Sequence, residues 1–259
     1  MRFDSGNRLV EINIKERIPE ISSKGWIESK RAGDTGVGYT LEEELGIAEN
    51  NKRIQDLIYL GKKVELKAQR SSTTSPVTLF SQKPKKPNFN NKAMLMKYGY
   101  TDKKRRLALY VTLKANEPNP QGLMLRVDKG KDKLYVSHSK DGDLWFWDID
   151  SLKLKIERLL FVVANSKRAH GKEYFHYVEA YFLTDFNKNK FFELMEQGKI
   201  VVDIRMYLKK SGVVRDHGIA FRGKFKDFKV CYDTQESLIG SPPQRDACAS
   251  IRILWLSLS

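Results

Sequence analysis

Apolar positions recur along the chain with two different periods, and each period predicts a different kind of element. Residues 62–69 alternate between apolar and polar side chains, which is typical of a β-strand, and a second strand is predicted over 76–80 after the polar turn SSTTS. The apolar run LLFVVANS (159–166) predicts a buried strand. Residues 185–197 instead repeat their apolar positions with the period of an amphipathic helix, and Gly198 is placed to end it.

The remaining pattern completes a mixed α/β protein. A loosely periodic helix is predicted within residues 7–24, and a Gly-rich loop leads into a short helix that begins at about Thr40 and ends at Gly46. The helix SLKLKIERL is expected to be capped by Asp150 or Ser151. Turn residues divide residues 106–149 into a β-meander, and further strands are predicted over 173–183, 199–208 and 217–223. This alternation predicts a mixed central β-sheet flanked by helices.

The pattern weakens near the C-terminus, where residues 235–259 contain a Pro-Pro and few charges. We therefore expect one domain over residues 1–234 and a peripheral tail over 235–259. Cys231 and Cys248 are too few for a disulfide framework and form no C-x-x-C zinc motif. No apolar run is long enough to span a membrane, and the N-terminus lacks a secretory h-region. A cytoplasmic location is the expectation.

Charge adds the first information about a partner. Lys and Arg total 47 against 32 Asp and Glu, a net charge of +15, which favours a polyanion such as nucleic acid. Basic residues are concentrated in residues 83–106, where Asp102 is the single acid. That segment is either a solvated loop or an arm that contacts phosphates, and the total charge favours the arm. Trp145 and Trp147 share one face of a predicted strand and are expected in the core rather than in a base-stacking platform.

One cluster of residue types suggests phosphodiester chemistry. Glu65 and Lys67 are two residues apart in a predicted strand, so their side chains lie on the same face, and Asp56 lies a short way upstream. Carboxylates are the oxygen ligands that Mg²⁺ prefers, and a nearby lysine can orient or deprotonate water and offset charge on a phosphate. The alternative is a surface ion pair, because this pattern arises easily by chance in a chain rich in Lys and Glu.

Three longer blocks resemble a known family: GWIESKRAGDTGVGYTLEEELG, LGKKVELKAQRSSTTSPVTLF and KIVVDIRMYLKKSGVVRDHGIAFR. In this order and at these distances they are similar to the MvaI/BcnI restriction endonucleases, relatives of the repair nickase MutH in the PD-(D/E)xK nuclease superfamily. The resemblance covers roughly residues 20–230 and implies the PD-(D/E)xK fold. It also implies two lobes around a DNA cleft: a catalytic lobe at about 20–165 and recognition elements at about 83–106 and 199–223.

The resemblance also implies roles for individual residues. Glu42 matches a glutamate that supports the metal site, with Glu43 as the alternative register. Asp56 and Glu65 match the two metal ligands, and Lys67 matches the catalytic lysine. The sequence departs from the family in two ways: Gln55 stands where the family has proline, and the spacing from Asp56 to Glu65 is longer than usual.

The third block matches positions with which family members contact base edges. These are Asp203, Arg205, Asp216, His217 and Arg222. Arginine can donate two hydrogen bonds to guanine and aspartate can accept one from cytosine, so the set suits a G·C-rich target. Without the resemblance, Asp203 and Arg205 would be interpreted as a strand ion pair and His217 as a structural loop residue.

Together these features predict a type II restriction endonuclease that cuts duplex DNA at a short site of the CC-N-GG type. The expected cofactor is Mg²⁺, with Mn²⁺ as the substitute ion. The protein is expected to act as a monomer and to have a separate companion DNA methyltransferase. Two other hypotheses remain open from the sequence: a MutH-like nickase that depends on a partner, and a basic nucleic-acid-binding module without enzymatic activity.

Overall fold

Three sheets organise the part of the chain that the structure, a computed structural model, describes: residues 10–47, 56–87 and 89–239. The first sheet has six strands and contains one parallel pair, β3 with β10. Its strands are β1 (Ile27–Glu28), β2 (Leu57–Tyr59), β3 (Lys62–Arg70), β10 (Leu159–Ala169), β11 (Lys172–Phe186) and β14 (Tyr232–Ser237). They lie in the order β1-β11-β10-β3-β2, and β14 pairs with the other half of β11.

The second sheet has five antiparallel strands in the order β4-β13-β12-β6-β5, and the third has three in the order β7-β8-β9. The second comprises β4 (Val77–Ser81), β5 (Tyr100–Thr101), β6 (Leu107–Leu113), β12 (Ile200–Leu208) and β13 (Val214–Gly223). The third comprises β7 (Leu123–Asp128), β8 (Lys133–His138) and β9 (Gly142–Asp148). The predicted meander over 106–149 is therefore wrong in its first strand. Alternation identifies a strand, but its partner is decided by tertiary contacts, and β6 pairs with β12.

Six α-helices among the described residues pack on these sheets: α1 (Ile14–Ser23), α2 (Gly36–Glu44), α3 (Asn91–Tyr98), α4 (Ile149–Ile156), α5 (Lys188–Glu196) and α6 (Phe225–Phe228). Two predicted starts need correction. Helix α2 begins at Gly36, because Thr40 is buried within it and its hydroxyl accepts a hydrogen bond from the Lys30 N–H at 3.0 Å. Helix α4 begins after Asp148 rather than after Asp150 or Ser151.

Strand β10 separates two hydrophobic cores, as its apolar run predicts. Leu160 and Val162 face a core that includes residues of α1 and α2. Phe161 and Val163 face a larger core that all three sheets share. Trp145 and Trp147 lie in that larger core, each about 1% exposed, so their predicted core position is confirmed.

The basic segment 83–106 contains a helix, α3, which its composition did not predict. Asn90 caps α3 by accepting a hydrogen bond from the Ala93 N–H at 2.9 Å. Met94 and Leu95 of this helix are buried in the larger core. The cations of the segment therefore project from an anchored helix and its flanks.

The last strand of the described residues extends into the segment that was predicted to be a C-terminal tail. Strand β14 pairs with β11 and continues past residue 234, and Leu238 is buried after it. The sheet thus extends beyond the point where the tail was expected to begin. Residues 240–259, including Cys248, lie outside the described residues, as do Gln55 and residues 7–9 of the predicted first helix. No helix among the described residues is long and apolar enough to cross a membrane.

Candidate active site and recognition surface

The β2–β3 hairpin explains how Asp56 reaches the strand that carries Glu65. Its turn consists of Leu60 and Gly61, both with positive φ (50° and 68°), the conformation that matches the twist of a tight hairpin. The chain reverses there, so the Leu66 N–H donates to Asp56 Oδ2 at 2.7 Å. The hairpin therefore accounts for the long spacing between Asp56 and Glu65 in the sequence.

Glu65 and Lys67 form a same-face pair on β3, as their spacing predicted. Lys67 Nζ lies 2.5 Å from Glu65 Oε1, and the side chains are 30% and 15% exposed, respectively. Burial lowers the pKa of Lys67, but the carboxylates of Glu65, Asp56 and Glu42 together raise it above its usual range. The structure thus brings the four predicted residues into one electrostatic unit, in which the ammonium form of the lysine is favoured.

The register of helix α2 distinguishes the three consecutive glutamates. Glu42 is half-buried and lines the cleft beside Lys67. Glu43 is exposed and does not line that cleft. Glu44 pairs with Lys24 at 2.9 Å on another side of the helix. The geometry therefore favours Glu42 over Glu43 as the helix residue of the site.

A cleft of about 740 Å³ connects Glu42 and Lys67 to the second sheet. On one side are Glu42, Asp56 and Lys67, and on the other are the residues that lead into β4, together with Arg222 of β13. Its lining is largely polar and includes the cations Arg31 and Arg70.

Arg70 holds the Gly-rich loop against this cleft. Its guanidinium donates to both carboxylate oxygens of Glu173, each at 2.9 Å. The same group donates to the carbonyl oxygens of Gly33 (2.9 Å) and Asp34 (3.1 Å). Arg70 could not be predicted from the sequence, because its partner Glu173 is distant along the chain and leaves no local pattern.

Three of the predicted recognition residues form one ion-pair network on the polar face of the second sheet. Asp203 Oδ2 accepts from Arg205 at 2.6 Å and from Arg222 at 3.0 Å, while Oδ1 accepts from the Thr112 hydroxyl at 2.7 Å. Burial raises the pKa of Asp203, but the hydrogen bonds from Thr112, Arg222 and Arg205 outweigh it and hold the pKa below its usual range. Arg222 also donates to the Pro76 carbonyl at 2.6 Å.

This network does not present Asp203 in the way that the sequence suggested. The carboxylate is 5% exposed and already accepts three hydrogen bonds, whereas the Arg205 side chain is 49% exposed. The geometry is that of an acid that orients two arginines. Arg205 is the member that solvent, and hence a ligand, can reach.

Asp216 and His217 lie further along the same sheet. Asp216 accepts from the Gly218 N–H at 2.7 Å and from the Asn91 amide at 3.0 Å. His217 is exposed, and its ring lies 5.7 Å from that of Tyr207. Asn91 and Tyr207 were missed by sequence analysis. Both have partners from other elements, which only the fold brings close.

Metal-binding potential rests on carboxylates rather than on a preformed cage. Among the described residues, no three His, Cys, Asp or Glu side chains are grouped closely enough to hold an ion by themselves. Mg²⁺ usually binds through one or two carboxylates and completes its shell with water and substrate phosphate. Asp56 and Glu65 are such a donor set, so these residues fit that ion.

Comparisons with known proteins agree with this architecture. The chain resembles the restriction endonuclease MvaI in its complex with cognate DNA, with a TM-score of 0.71 and 27% identity over 87% of this chain and 97% of that one. It also resembles MvaI in the absence of DNA, with a TM-score of 0.52 and 25% identity over 87% and 96% of the two chains. None of the curated proteins matches. The model of the MvaI/BcnI restriction endonuclease family matches residues 15–232. The chain belongs to the MvaI/BcnI restriction endonuclease family and is accordingly a type II site-specific deoxyribonuclease.

Proposed function

We propose that this enzyme hydrolyses both strands of duplex DNA, with Mg²⁺, at a short G·C-flanked site of the CC-N-GG type. The observation that carries the proposal is the cleft of about 740 Å³, because it contains Asp56 and Lys67 together with Arg222. A strand bound in it would meet the hydrolytic residues and one recognition residue at the same time.

Asp56 and Glu65 are the proposed ligands of the metal. Bound there, Mg²⁺ would polarise the scissile phosphoryl group and lower the pKa of the attacking water. Lys67 reaches the same space from β3 and supplies a positive charge that offsets the charge developing on the phosphate. Glu42 adds a third carboxylate, which supports the negative potential that attracts a cation.

The proposed recognition residues divide into groups with different tasks. Arg205 and His217 are exposed and would contact base edges directly, with Arg205 donating to guanine O6 and N7. Asp216 keeps a partly exposed carboxylate for cytosine N4. Asp203 orients Arg205 and Arg222, which departs from its expected direct contact with a base.

Digestion of a plasmid with the full chain and Mg²⁺ tests this proposal. We expect discrete fragments whose ends, sequenced by run-off, define one site with outer C·G and G·C pairs. The variants Glu65→Ala and Lys67→Ala should each abolish cutting and leave DNA binding largely intact. Absence of fragments with Mg²⁺ and with Mn²⁺ would contradict the proposal, and nicked circles that accumulate without linear product would indicate a MutH-like nickase instead.

A further inference from the structure

The hairpin of β10 and β11 projects beyond the strand that carries the catalytic candidates. The parallel pairing of β3 with β10 ends at Arg70 and Ala164, but β10 continues to Ala169. The chain then reverses at His170 and Gly171, which have φ values of 52° and 75°. The segment 165–174 is therefore a protrusion at the end of β3.

One face of this protrusion continues the face that carries Lys67. Phe161 lies beside Lys67 in the parallel register, and side chains alternate along β10, so Asn165 and Lys167 lie on that same face. The Ser71 hydroxyl donates to Asn165 Oδ1 at 2.7 Å and joins the base of the hairpin to β3. At about 3.3 Å per residue, Lys167 lies about 20 Å along the strand from the position of Phe161.

An exposed tryptophan lies on this face. Trp26 is 41% exposed, immediately before β1 on the edge of the sheet. Lys167 Nζ lies 4.2 Å above its ring, and the His176 ring lies 5.7 Å away. Such contacts hold the indole and the lysine in one arrangement on the surface.

The charge balance of the hairpin is positive. Lys167, Arg168 and Lys172 are all exposed. The nearby acids have other partners, since Glu173 pairs with Arg70 and Glu28 pairs with Lys172 at 2.8 Å. Within the described part of the chain, Lys167 is in no ion pair with a carboxylate. Arg168 lies on the opposite face of the hairpin, across from Glu173 in the β10–β11 register.

We infer that the tip of this hairpin, through Lys167 and Trp26, binds the phosphate backbone of duplex DNA outside the recognition site. Double-stranded DNA advances about 3.4 Å per base pair, so for a duplex that runs along β10 a distance of about 20 Å corresponds to about six base pairs from the scissile position. Contacts to phosphates fix position without reading sequence, so this surface adds affinity rather than specificity. The inference rests on the proposed function, in which the cleft beside Lys67 cuts duplex DNA.

Binding to two duplexes that differ only in flank length tests this surface. Both contain the site mapped from plasmid digestion, with about 3 base pairs on each side in the short duplex and about 12 in the long one, a choice set by the helical rise of about 3.4 Å per base pair. Binding is measured with the full chain and a chelator, so that no strand is cut. We expect the variant Lys167→Ala to bind the long duplex about threefold more weakly, and the short one as the unmodified protein does. Its slope of log K against log salt on the long duplex should fall by about 0.9, the contribution of one phosphate contact.

A matched control removes the same charge elsewhere. Lys188 and Lys190 on α5 already pair with Asp132 and Asp233, at 2.6 Å and 2.7 Å. Lys188→Ala and Lys190→Ala, each of which removes one charge as Lys167→Ala does, should therefore bind both duplexes almost normally. Trp26→Ala, which keeps Lys167, should weaken binding to the long duplex alone, whereas Trp26→Phe should restore most of it.

The outcomes separate this inference from the proposed function. If the hairpin variant binds the long duplex as tightly as the unmodified protein, or loses affinity equally for both duplexes, the flank surface is refuted while plasmid cutting is unaffected. If the unmodified protein cuts no plasmid, the proposed function fails. In that case, binding of the hairpin variant and of the unmodified protein to any pair of short and long duplexes still decides whether the hairpin contacts DNA.

Discussion

Two strands of this protein each carry an acid and a base two residues apart, and the two pairs have opposite surroundings. Glu65 and Lys67 on β3 are joined at 2.5 Å, and Asp203 and Arg205 on β12 at 2.6 Å. On β3 the acid is 15% exposed and the base is 30% exposed. On β12 the acid is 5% exposed and the base is 49% exposed.

The neighbours of each pair make the difference. Beside Lys67 lie the additional carboxylates of Asp56 and Glu42, so three acids surround one ammonium. Beside Asp203 lies a second guanidinium, that of Arg222, so one acid serves two bases. The first site has an excess of negative charge, which suits a metal cation. The second has an excess of positive charge, which suits guanine and phosphate oxygens.

The largest expected effect separates the two bases. Lys67→Met should lower the single-turnover cleavage rate by about 10³-fold, because it removes a charge that acts on the phosphate in the transition state. Arg205→Met should leave that rate almost unchanged once DNA is bound and weaken binding instead. Quenched-flow cleavage at saturating DNA measures both variants. Equal losses of rate would show that the two pairs do not differ in the way proposed.

Asp56→Asn tests one of the additional carboxylates beside the first pair. The amide oxygen can still accept the hydrogen bond from the Leu66 N–H, so the hairpin should remain intact and the melting temperature should change little. Loss of the charge should nevertheless lower the cleavage rate by about 10²-fold, because a neutral amide is a weaker metal ligand. Calorimetry and cleavage measured side by side check this. A large fall in melting temperature with normal cutting would assign Asp56 a purely structural role.

Asp203→Asn tests the acid side of the second pair. Arg205 and Arg222 would keep their positions less well, and we expect DNA binding to weaken by about 2 kcal/mol, roughly 30-fold, as for truncation of a buried charge pair. The cleavage rate of bound DNA should stay within a few-fold of normal. Fluorescence anisotropy with the cognate duplex measures the first quantity. Unchanged affinity would show that the arginines are ordered by other contacts.

The smallest expected effect is on stability and depends on pH. The pKa of Asp203 is lower in the folded protein than in the unfolded chain, where it is near 4. The ionised carboxylate therefore stabilises the fold at pH values above about 4. That contribution is lost as the pH falls through the folded value. At pH 7 the unfolding free energy of the unmodified protein should therefore be about 1.5 kcal/mol larger than that of the Asp203→Asn variant, and this difference should shrink below pH 4. Urea titrations of both proteins at several pH values check it. A difference that stays constant with pH would refute the ionised Asp203 carboxylate as the source of the stability.

Local pattern was a good guide to elements with strong periodicity. The strand with Glu65 and Lys67, the buried run of β10 and the helix that ends near Gly198 all occur where alternation or helical spacing predicted them. Within segment 83–106 the helix α3 was not predicted, because the lysines dominate the composition. The cap at Asn90 and the apolar spacing of Met94 and Leu95 were present in the sequence, and they identify the helix.

The sequence by itself determined which residue types are available for metal, phosphate and base contacts, and it placed Glu65 beside Lys67 because side chains in a strand repeat every second residue. Tertiary structure decided everything that depends on distant segments. It brought Asp56 back to Leu66 through a hairpin, selected Glu42 from three consecutive glutamates by helix register, and buried Asp203 beneath two arginines. The physical reason is that burial and net local charge arise from elements far apart in the chain. A short spacing therefore fixes which side chains meet, and the surrounding fold fixes what the pair can bind.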